Sequence, residues 1–274
     1  MMSKVSISIV LYNNDYLEVK KTLDSVLSAN IDIAIYLIDN SEKSTLQAFL
    51  PEDKRLRYIK NNVNIGFGAA HNIAIKESFK NDCKYHLVLN PDIEFDTGVL
   101  EKIVKYMDTN VDVGNLMPLV KYKDGSIQRL CKLLPRPTDL FIRRFIPFDF
   151  IKNKINQRYE LHSFSYDEIA FIPSLSGCFM FLRLSTLKNV GIFDEKFFMY
   201  FEDVDLNRRI GEISKTVFFP EVSILHGFKK ESANFNKLLY YHLQSAFYYF
   251  NKWGWFFDKE REEINLKIIK TLKI

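Results

Sequence analysis

The sequence predicts an α/β protein, and three observations support that prediction. Apolar runs of strand length alternate with amphipathic helical segments through the first half of the chain. The 274 residues are 47% hydrophobic, which is enough to bury a sheet beneath helices. Polar residues follow several of the apolar runs directly, as at the carboxyl edge of a parallel sheet. We therefore expect a parallel sheet that carries its ligand-binding loops on one edge.

The first half of the chain has the order of βαβ units. Strands are expected at 5–12, 31–39, 56–60 and 85–90, and helices at 15–29 and 67–79. A helix between successive strands is the usual connection of a parallel sheet. The order therefore favours parallel strands here.

The second half of the chain is less regular. It predicts a buried strand at 177–184, a helix containing 204–210, and a strand at 216–226 that Pro220 interrupts. Ser232 is a candidate N-cap for a helix that runs to about Trp253, where Gly254 stops it. Ten aromatic residues lie within 240–257. They are expected either to pack against the domain or to lie at a membrane or subunit interface.

Cysteine content and apolar run length indicate the compartment. Cys83, Cys131 and Cys178 are odd in number, widely spaced and in no CxxC pattern, which favours reduced thiols and no structural zinc. The first residues lead straight into a strand without a signal-like leader, and apolar runs of membrane-spanning length do not occur. We expect a cytoplasmic protein.

The net charge of +4 is unevenly distributed along the chain. In residues 129–158, eight Lys or Arg residues face only two acidic residues. Four phenylalanines are interleaved with them: Phe141, Phe145, Phe148 and Phe150. This mixture suits an anionic membrane surface or a phosphate-bearing acceptor, or else an ordinary solvated loop. It also suits nucleic acid, but the sequence contains no recognition module for one, and we expect no nucleic-acid partner.

The segment 193–209 reads FDEKFFMYFEDVDLNRR and places Glu202 and Asp203 where a helix should begin. Carboxylates set among aromatic side chains are costly to desolvate, which is typical of a base that deprotonates a hydroxyl. The alternative is a helix N-terminus whose acids complement the helix dipole, with Asp205 paired to Arg209. The segment alone leaves both interpretations open.

Further polar residues follow the predicted strands at one edge of the sheet. Tyr12 and Asp39 end two strands, and Asp39 could accept hydrogen bonds from a nucleoside base or ribose, or simply form an Asx turn. Gly66 and Gly68 precede a helix, where glycines let backbone amides approach a diphosphate, although a tight turn is an alternative.

A divalent-cation site is also possible at this edge. Asn90 and Asp92 follow the strand at 85–90 and offer an amide oxygen and a carboxylate, but Asn-Pro-Asp is also a common turn sequence. His226 ends the last predicted strand in a corresponding place. A lone histidine there is more often structural than a ligand.

Taken together, these segments resemble the GT-A family 2 glycosyltransferases, and most closely their rhamnosyltransferase-like branch. The resemblance covers roughly residues 4–230. The motifs that support it are SIVLYNN at 8–14, LIDNS at 37–41, NVNIGFGAAHN at 62–72, LNPDI at 89–93, SGCFMFLR at 176–183, GIFDEKFFMYFEDVDLNRR at 191–209 and the strand ending in His226. The implied fold is α/β GT-A, a Rossmann-like mixed sheet flanked by helices, followed by a helical, aromatic-rich C-terminal extension.

The resemblance implies a metal-dependent, inverting glycosyltransferase. Asp203 would be the general base, and Glu202 would help to shape the acceptor side. Manganese or magnesium, Mn²⁺ or Mg²⁺, would be held by Asp92 at the position of the DXD motif and by His226. Asn90 stands where that motif has its first acid, which makes the site less negative.

The resemblance also implies residues on the donor side. Asp39 and the backbone near Tyr12 would hold the nucleobase, and Gly66 and Asn72 would lie near the ribose or the diphosphate. Asn90 and Asp92 would complete the donor site. The preferred donor is dTDP-rhamnose, and a UDP-sugar is possible.

The implied acceptor is a saccharide or a lipid-linked saccharide in bacterial surface-polysaccharide synthesis, such as O-antigen or capsule. The protein could then sit peripherally at the inner face of the cell membrane. We expect a glycosyltransferase domain at 1–230, with a nucleotide-sugar-binding half at 1–118 and an acceptor-binding, catalytic half at 119–230, and a helical extension at 231–274.

The sequence is also compatible with two alternatives to this activity. A catalytically degenerate GT-A protein that acts as a binding or assembly subunit stays open because Asn90 is an amide. A nucleotidyltransferase is less favoured, because the first loop, LYNNDYLEVK, has no glycine to receive a triphosphate.

Overall fold

The computed structural model describes residues 4–44, 46–140, 149–227 and 235–274. The strands are β1 (Val5–Leu11), β2 (Ile33–Asp39), β3 (Leu56–Lys60), β4 (Tyr85–Leu89), β5 (Ile93–Glu94), β6 (Val113–Lys121), β7 (Ala170–Phe171), β8 (Phe179–Arg183) and β9 (Lys215–His226). The helices are α1 (Tyr16–Leu27), α2 (Phe67–Lys80), α3 (Val99–Thr109), α4 (Asp149–Tyr159), α5 (Leu184–Val190), α6 (Glu202–Gly211), α7 (Phe235–Trp253) and α8 (Lys259–Leu272).

All the described strands belong to a single mixed sheet. Its order is β3-β2-β1-β4-β8-β6-β9-β5, and β7 pairs with β9 beside this path. The first four strands in this order are parallel. Strand β8 runs antiparallel to both β4 and β6, and β5 runs antiparallel to β9. The α/β prediction of a mixed sheet flanked by helices is confirmed. Besides the four parallel strands of the first half of the chain, β6 and β9 also pair in parallel.

Strand β1 shows why this sheet forms from this sequence. It lies between β2 and β4 and is covered on both faces. One face is apolar, and the other carries buried serines, as the two-residue period of a strand requires. Ser8 Oγ lies 2.6 Å from His71 Nδ1 and 2.8 Å from His86 Nε2, so these three buried side chains bind one another. Burial lowers the pKa of both histidines, that of His86 to about 3.

The predicted strand that Pro220 was to interrupt is continuous but bulged. Pro118 of β6 lies opposite Phe219, and the next residue of β6 lies opposite Ser223. The residues of β9 in between have no register partner on β6, which is the geometry of a bulge. A proline can occupy such a place because no ladder hydrogen bond is required of it.

The C-terminal part of the chain packs on the loop that precedes α6. Phe197 and Phe201 of that loop form one buried cluster with three residues of α7, which are Ala246, Tyr249 and Phe250. Helix α7 ends at Trp253, and Gly254 follows with φ 103°, as predicted. The expected N-cap Ser232 lies outside the described residues. The boundary expected near residue 230 stays a prediction.

The ten aromatics of 240–257 range from fully buried to fully exposed. Tyr249 and Phe250 are fully buried, whereas Phe256 and Phe257 are 71% and 100% exposed. Among the helices in the part of the chain that the structure describes, none is long and apolar enough to cross a membrane. Of the four phenylalanines in the basic segment, Phe150 is exposed, and Phe141, Phe145 and Phe148 lie outside the described residues.

Candidate active site

The short strand β5 brings Asp92 and His226 together. Its first residue, Ile93, pairs with His226 in antiparallel register, and Gly227 N donates to Asp92 O at 2.9 Å. Asp92 Oδ1 then lies 3.4 Å from His226 Nε2. A Cβ on Gly227 would approach Asp92 O to 3.3 Å, so glycine suits this close passage. The pairing of two strand ends creates the juxtaposition that sequence analysis assigned to a metal site.

Asn90 connects this pair to the segment that contacts Asp203. Its side-chain Nδ2 lies 3.4 Å from His226 Nε2, and its backbone N–H donates to Cys178 O at 2.9 Å. The residue before Cys178 is Gly177, whose N–H donates to Asp203 Oδ2 at 2.8 Å. Gly177 belongs to the motif SGCFMFLR at 176–183, but the sequence gives no local signal of its contact with Asp203.

Cys178 lies between the two groups of carboxylates. Burial, and after it the negative charges of Asp92 and Asp203, raise the pKa of its thiol to about 12. A thiol with this pKa remains protonated and unreactive at neutral pH. Asp92, which lies beside His226, and Asp203 are therefore both near the same residue, Cys178.

Asp203 occupies the first turn of α6 and is half-buried. Burial raises the pKa of its carboxyl, while the N–H groups of Gly177 and Val204 and the charge of Lys132 oppose that shift. The carboxylate is thus held in a fixed orientation by two backbone donors. A positioned carboxylate with a raised pKa can accept a proton from a hydroxyl.

Glu202 is more deeply buried than its neighbour. It is 6% exposed, and its Oε2 atom has no hydrogen-bond partner. Burial and then the charge of Asp203 raise the pKa of Glu202 well above its ordinary value. Two adjacent carboxyls thus have different environments, with Glu202 favouring its neutral form and Asp203 bound to backbone donors.

The loop before α6 is strained. Tyr200 and Phe201 both have positive φ, 71° and 67°, although neither is glycine. Such residues persist where the surrounding structure enforces them, and they are concentrated at functional sites. Ser245 Oγ of α7 donates to Met199 O at 2.8 Å, and the Phe201 ring lies 5.4 Å from that of Tyr249. Helix α7 therefore supports the loop that leads to Glu202 and Asp203.

The predicted ion pair within α6 also forms. Arg209 Nε donates to Asp205 Oδ2 at 2.9 Å. Asp205 is fully buried and accepts from Trp253 Nε1 at 2.8 Å, so it serves the packing of α6 against α7. The helix N-terminus with an Asp205–Arg209 pair is therefore present, and the role of Glu202 and Asp203 in proton transfer stays a prediction.

Tyr12 follows β1 and Asp39 ends the adjacent strand β2, and both are close in sequence to residues that line a cavity of about 330 Å³. The cavity is lined by Asn13, Asn14, Asp15, Tyr16, Ser41, Lys43, Ser44, Leu46 and Phe49. Tyr12 is 49% exposed, but Asp39 is fully buried. Its carboxylate accepts from Ser41 N at 2.8 Å and Tyr58 Oη at 2.6 Å. Burial alone would raise the pKa of Asp39, but these bonds lower it.

Gly66 and Asn72 contact the segment that precedes α6. A Cβ on Gly66, which has φ 92°, would lie 2.4 Å from Phe198 O. Asn72 is fully buried, donates to Phe193 O at 2.9 Å and accepts from Phe193 N at 3.1 Å. Both residues therefore hold the segment that leads to α6. Their contact with a donor stays a prediction.

The chemistry of Asn90, Asp92 and His226 fits a divalent cation that a substrate helps to hold. Among the described residues, no group of three or more His, Cys, Asp or Glu side chains could hold a metal ion. One carboxylate, one imidazole and one amide suit Mn²⁺ or Mg²⁺ when phosphate oxygens and water supply the remaining ligands.

Comparison with known proteins agrees with this architecture. Residues 6–178 match the model of glycosyl transferase family 2. An N-acetylglucosaminyl-diphospho-decaprenol L-rhamnosyltransferase of Mycobacterium tuberculosis is 27% identical over 212 residues, which are 73% of this chain and 68% of that protein. The rhamnosyltransferase WbbL of Escherichia coli is 28% identical over 247 residues, 86% of this chain and 88% of its own.

The fold is also found among solved structures. The crystal structure of GalNAc-T7 with UDP, GalNAc and Mn²⁺ superposes with a TM-score of 0.64 at 15% identity. The match covers 85% of this chain and 45% of that one, so the present chain spans less than half of GalNAc-T7. The GT-A prediction for the fold is thereby confirmed. Because the family model covers more than half of the sequence, the chain belongs to glycosyl transferase family 2.

Proposed function

We propose that this protein is an inverting glycosyltransferase in which Asp203 is the general base. The observation that carries the proposal is the convergence of Asp203, Asp92 and His226 around Cys178. A base on one side of the site and a cation site on the other are what direct displacement at a sugar carbon requires.

In the proposed reaction, Asp203 accepts the proton of an acceptor hydroxyl while the hydroxyl oxygen attacks the anomeric carbon. The bond from that carbon to the diphosphate oxygen breaks, and its electron pair leaves with the diphosphate. The N–H groups of Gly177 and Val204 fix the carboxylate for this step. Attack from the face opposite the leaving group inverts the configuration. Glu202, kept neutral beneath Asp203, helps to shape the acceptor side.

Asp92 and His226 are the proposed metal ligands, with Asn90 beside them. The chemistry that Mn²⁺ or Mg²⁺ supplies when bound is neutralisation of the charge that develops on the diphosphate. GalNAc-T7, which shares the fold, was crystallised with UDP and Mn²⁺.

The proposed donor is a nucleotide-diphosphate sugar, preferably dTDP-rhamnose, with a UDP-sugar as the alternative. The names of the two relatives, both rhamnosyltransferases, support rhamnose. The nucleotide would lie at the cavity beside Tyr12 and Asp39. Because Asp39 is buried, its effect on the nucleotide would be indirect. Its carboxylate accepts from Ser41 N, and Ser41 lines the cavity.

The proposed acceptor is a saccharide or a lipid-linked saccharide in cell-surface polysaccharide synthesis. The Mycobacterium tuberculosis relative is named for such a lipid-linked acceptor. A cytoplasmic location with peripheral contact at the membrane would suit that substrate. The exposed pair Phe256 and Phe257 is the part of the described surface that we assign to this contact. The degenerate, non-catalytic alternative gains no support from relatives named as transferases.

Nucleotide release tests the activity. Purified protein is assayed with a panel of sugar nucleotides, Mn²⁺ or Mg²⁺ and a membrane lipid extract as acceptor. We expect donor-specific, metal-dependent release that Asp203→Asn lowers by about 10²- to 10⁴-fold, because the variant has no base.

The matched control is Glu212→Gln, which changes an exposed carboxyl at the other end of α6 and should retain activity. Full activity in Asp203→Asn would remove that residue from the role of base. Turnover without added metal, and in the presence of a chelator, would contradict the metal-dependent mechanism.

A further inference from the structure

Gln128 is a buried residue that sequence analysis gave no function. It is 3% exposed and follows Ile127, which pairs with Lys121 at the end of β6. Its backbone N–H donates to Val120 O at 2.9 Å, which holds it beside the sheet. Its side chain makes two contacts with a single residue, His226. Gln128 Nε2 donates to His226 O at 3.1 Å, and Gln128 Oε1 lies 2.9 Å from His226 Nδ1.

These two contacts determine the tautomer of His226. A backbone carbonyl only accepts hydrogen bonds, so the amide NH₂ of Gln128 must face it. The amide oxygen then faces Nδ1, and this oxygen also only accepts. Nδ1 must therefore carry the proton, and in the neutral imidazole the lone pair is on Nε2.

The lone pair on Nε2 faces the proposed metal ligands. Asp92 Oδ1 lies 3.4 Å from Nε2, and Asn90 Nδ2, also at 3.4 Å, donates to that lone pair, so a cation bound there would replace this amide N–H. A neutral imidazole with its lone pair towards a carboxylate presents two electron-pair donors to a common position, which favours a cation. In the opposite tautomer, an Nε2–H would donate to Asp92 and occupy both ligands.

We propose that Gln128 is a positioning residue that holds His226 in the Nδ1–H form, which places the lone pair for a divalent cation on Nε2, the nitrogen nearer Asp92. This inference rests on the metal site of the proposed function. Gln128 acts on the ring nitrogen that faces away from the cation. In other proteins, loss of such a partner of a metal-binding imidazole typically weakens metal binding about 10- to 100-fold.

The tautomer is read directly in metal-free protein by long-range ¹H–¹⁵N NMR of the imidazole rings at a pH where histidines are neutral. A spectrum of His226→Gln assigns the His226 signals by their loss. We expect wild-type His226 to show a protonated Nδ1 and an unprotonated Nε2. A wild-type spectrum with the proton on Nε2 would overturn the inference without any variant of Gln128.

Two variants then test whether Gln128 is the cause. Gln128→Met keeps the length of the side chain and removes both polar groups, whereas Gln128→Glu keeps an acceptor for Nδ1. Binding of Mn²⁺ alone, and of Mn²⁺ with UDP, is measured by electron paramagnetic resonance of the free ion. We expect Gln128→Met to lose the Nδ1–H preference and to bind Mn²⁺ about 10- to 100-fold more weakly. Gln128→Glu should retain both properties.

The outcomes separate this inference from the proposed function. If wild type binds Mn²⁺ and Gln128→Met retains the tautomer and the affinity, Gln128 is not the positioning residue, while the metal site stands. If wild type shows the expected tautomer but does not bind Mn²⁺ with or without UDP, the metal site is wrong, and the purpose assigned to Gln128 falls with it. Should Gln128→Met not fold, the wild-type spectrum still decides, because a proton on Nε2 of His226 overturns the inference.

Discussion

Glu202 and Asp203 are neighbours in the chain, yet the structure gives them different chemistry. Asp203 binds two backbone N–H groups, whereas Glu202 Oε2 is buried without a partner. Hydrogen bonds to a carboxylate favour its charged form, and desolvation favours the neutral form. The pair can therefore hold one proton on Glu202 and keep Asp203 ready to accept another.

The buried carboxyl of Glu202 predicts a pH-dependent effect on stability. Its pKa in the folded protein is raised above the ordinary value of 4.5, so the folded state binds this proton more tightly than the unfolded state does. The resulting stability is fully present below the unfolded pKa and is lost as the pH rises through the folded pKa. Glu202→Gln, which never ionises, should therefore have a higher melting temperature than wild type at pH 8 and a similar one near pH 4.

Thermal unfolding of both proteins across this pH range checks the expectation. Glu212→Gln, at an exposed carboxyl, should follow wild type at every pH. A Glu202→Gln variant that is equally or less stable than wild type at pH 8 would contradict the proposed burial of a neutral acid.

Asn72 is expected to act on the catalytic loop rather than on nucleotide affinity. Asn72→Ala leaves the backbone N–H and C=O of Phe193 without their side-chain partner and should lower the free energy of unfolding by about 1–3 kcal/mol. Because these bonds hold the segment leading to Asp203, kcat should fall while the Kd for UDP with Mn²⁺ stays unchanged.

Denaturant unfolding, nucleotide release and titration with UDP give the three quantities. An increased Kd with unchanged kcat would instead support the donor contact that sequence analysis predicted for Asn72.

At the scale of elements, helix α6 is held from its far side by the C-terminal helices. Arg208 donates to Asp258 Oδ2 and Oδ1 at 2.6 and 2.8 Å, and these two side chains are only 1% and 3% exposed. The guanidinium also lies 4.2 Å from the centre of the Trp253 ring. Asp258 in turn caps α8 by accepting from Arg261 N. The position of the proposed base thus depends on residues near the end of the chain.

Breaking this buried ion pair should be costly. Asp258→Asn leaves the charge of Arg208 buried against a neutral amide, and we expect the free energy of unfolding to fall by about 3–5 kcal/mol. Asparagine remains a good N-cap, so the loss measures the pair rather than the cap.

Glu260 provides the matched control, because it also binds Arg208, at 2.9 Å, but its side chain is 49% exposed. Glu260→Gln should change the free energy of unfolding by less than about 1 kcal/mol. Equal losses in the two variants, measured by denaturant unfolding, would show that burial does not determine the strength of this interaction.

At the scale of the whole molecule, the C-terminal residues are part of the main core. Asn265 of α8 is fully buried and makes two hydrogen bonds of 2.9 Å with the backbone of Leu134, and Ile268 belongs to the largest apolar cluster. A chain cut after Gly254 would lose these contacts and would unfold for reasons unrelated to a membrane. Membrane contact must therefore be tested by point substitutions.

We expect the double variant Phe256→Ser, Phe257→Ser to keep the melting temperature of wild type, because both rings are mostly exposed. If these rings enter a bilayer, each contributes about 1.5–3 kcal/mol, so their loss should weaken sedimentation with anionic liposomes about tenfold or more. Tyr240→Ser, at a ring that is 62% exposed near the other end of α7, is the matched control. Unchanged sedimentation of the double variant would remove this pair from membrane contact.

Much of the fold follows from local patterns in the sequence. The expected strand at 5–12 forms over Val5–Leu11, and the expected helix at 67–79 forms over Phe67–Lys80. Periodicity of apolar residues determines such elements, because the period is a property of the strand or the helix itself. The two-residue strand β5 was not expected, since two residues contain no period.

The sequence by itself determined the α/β class and the residue types at the strand ends, because both depend on neighbours along the chain. Only the tertiary structure decided which of those residues meet. Asn90 and His226 lie 136 positions apart and are joined at the sheet edge where β5 pairs with β9. It also decided that Asn72 and Asp39 are buried among protein partners and that Gln128 faces His226. Such contacts depend on long-range strand pairing and on burial, and a polar residue in a loop carries no local signal of either.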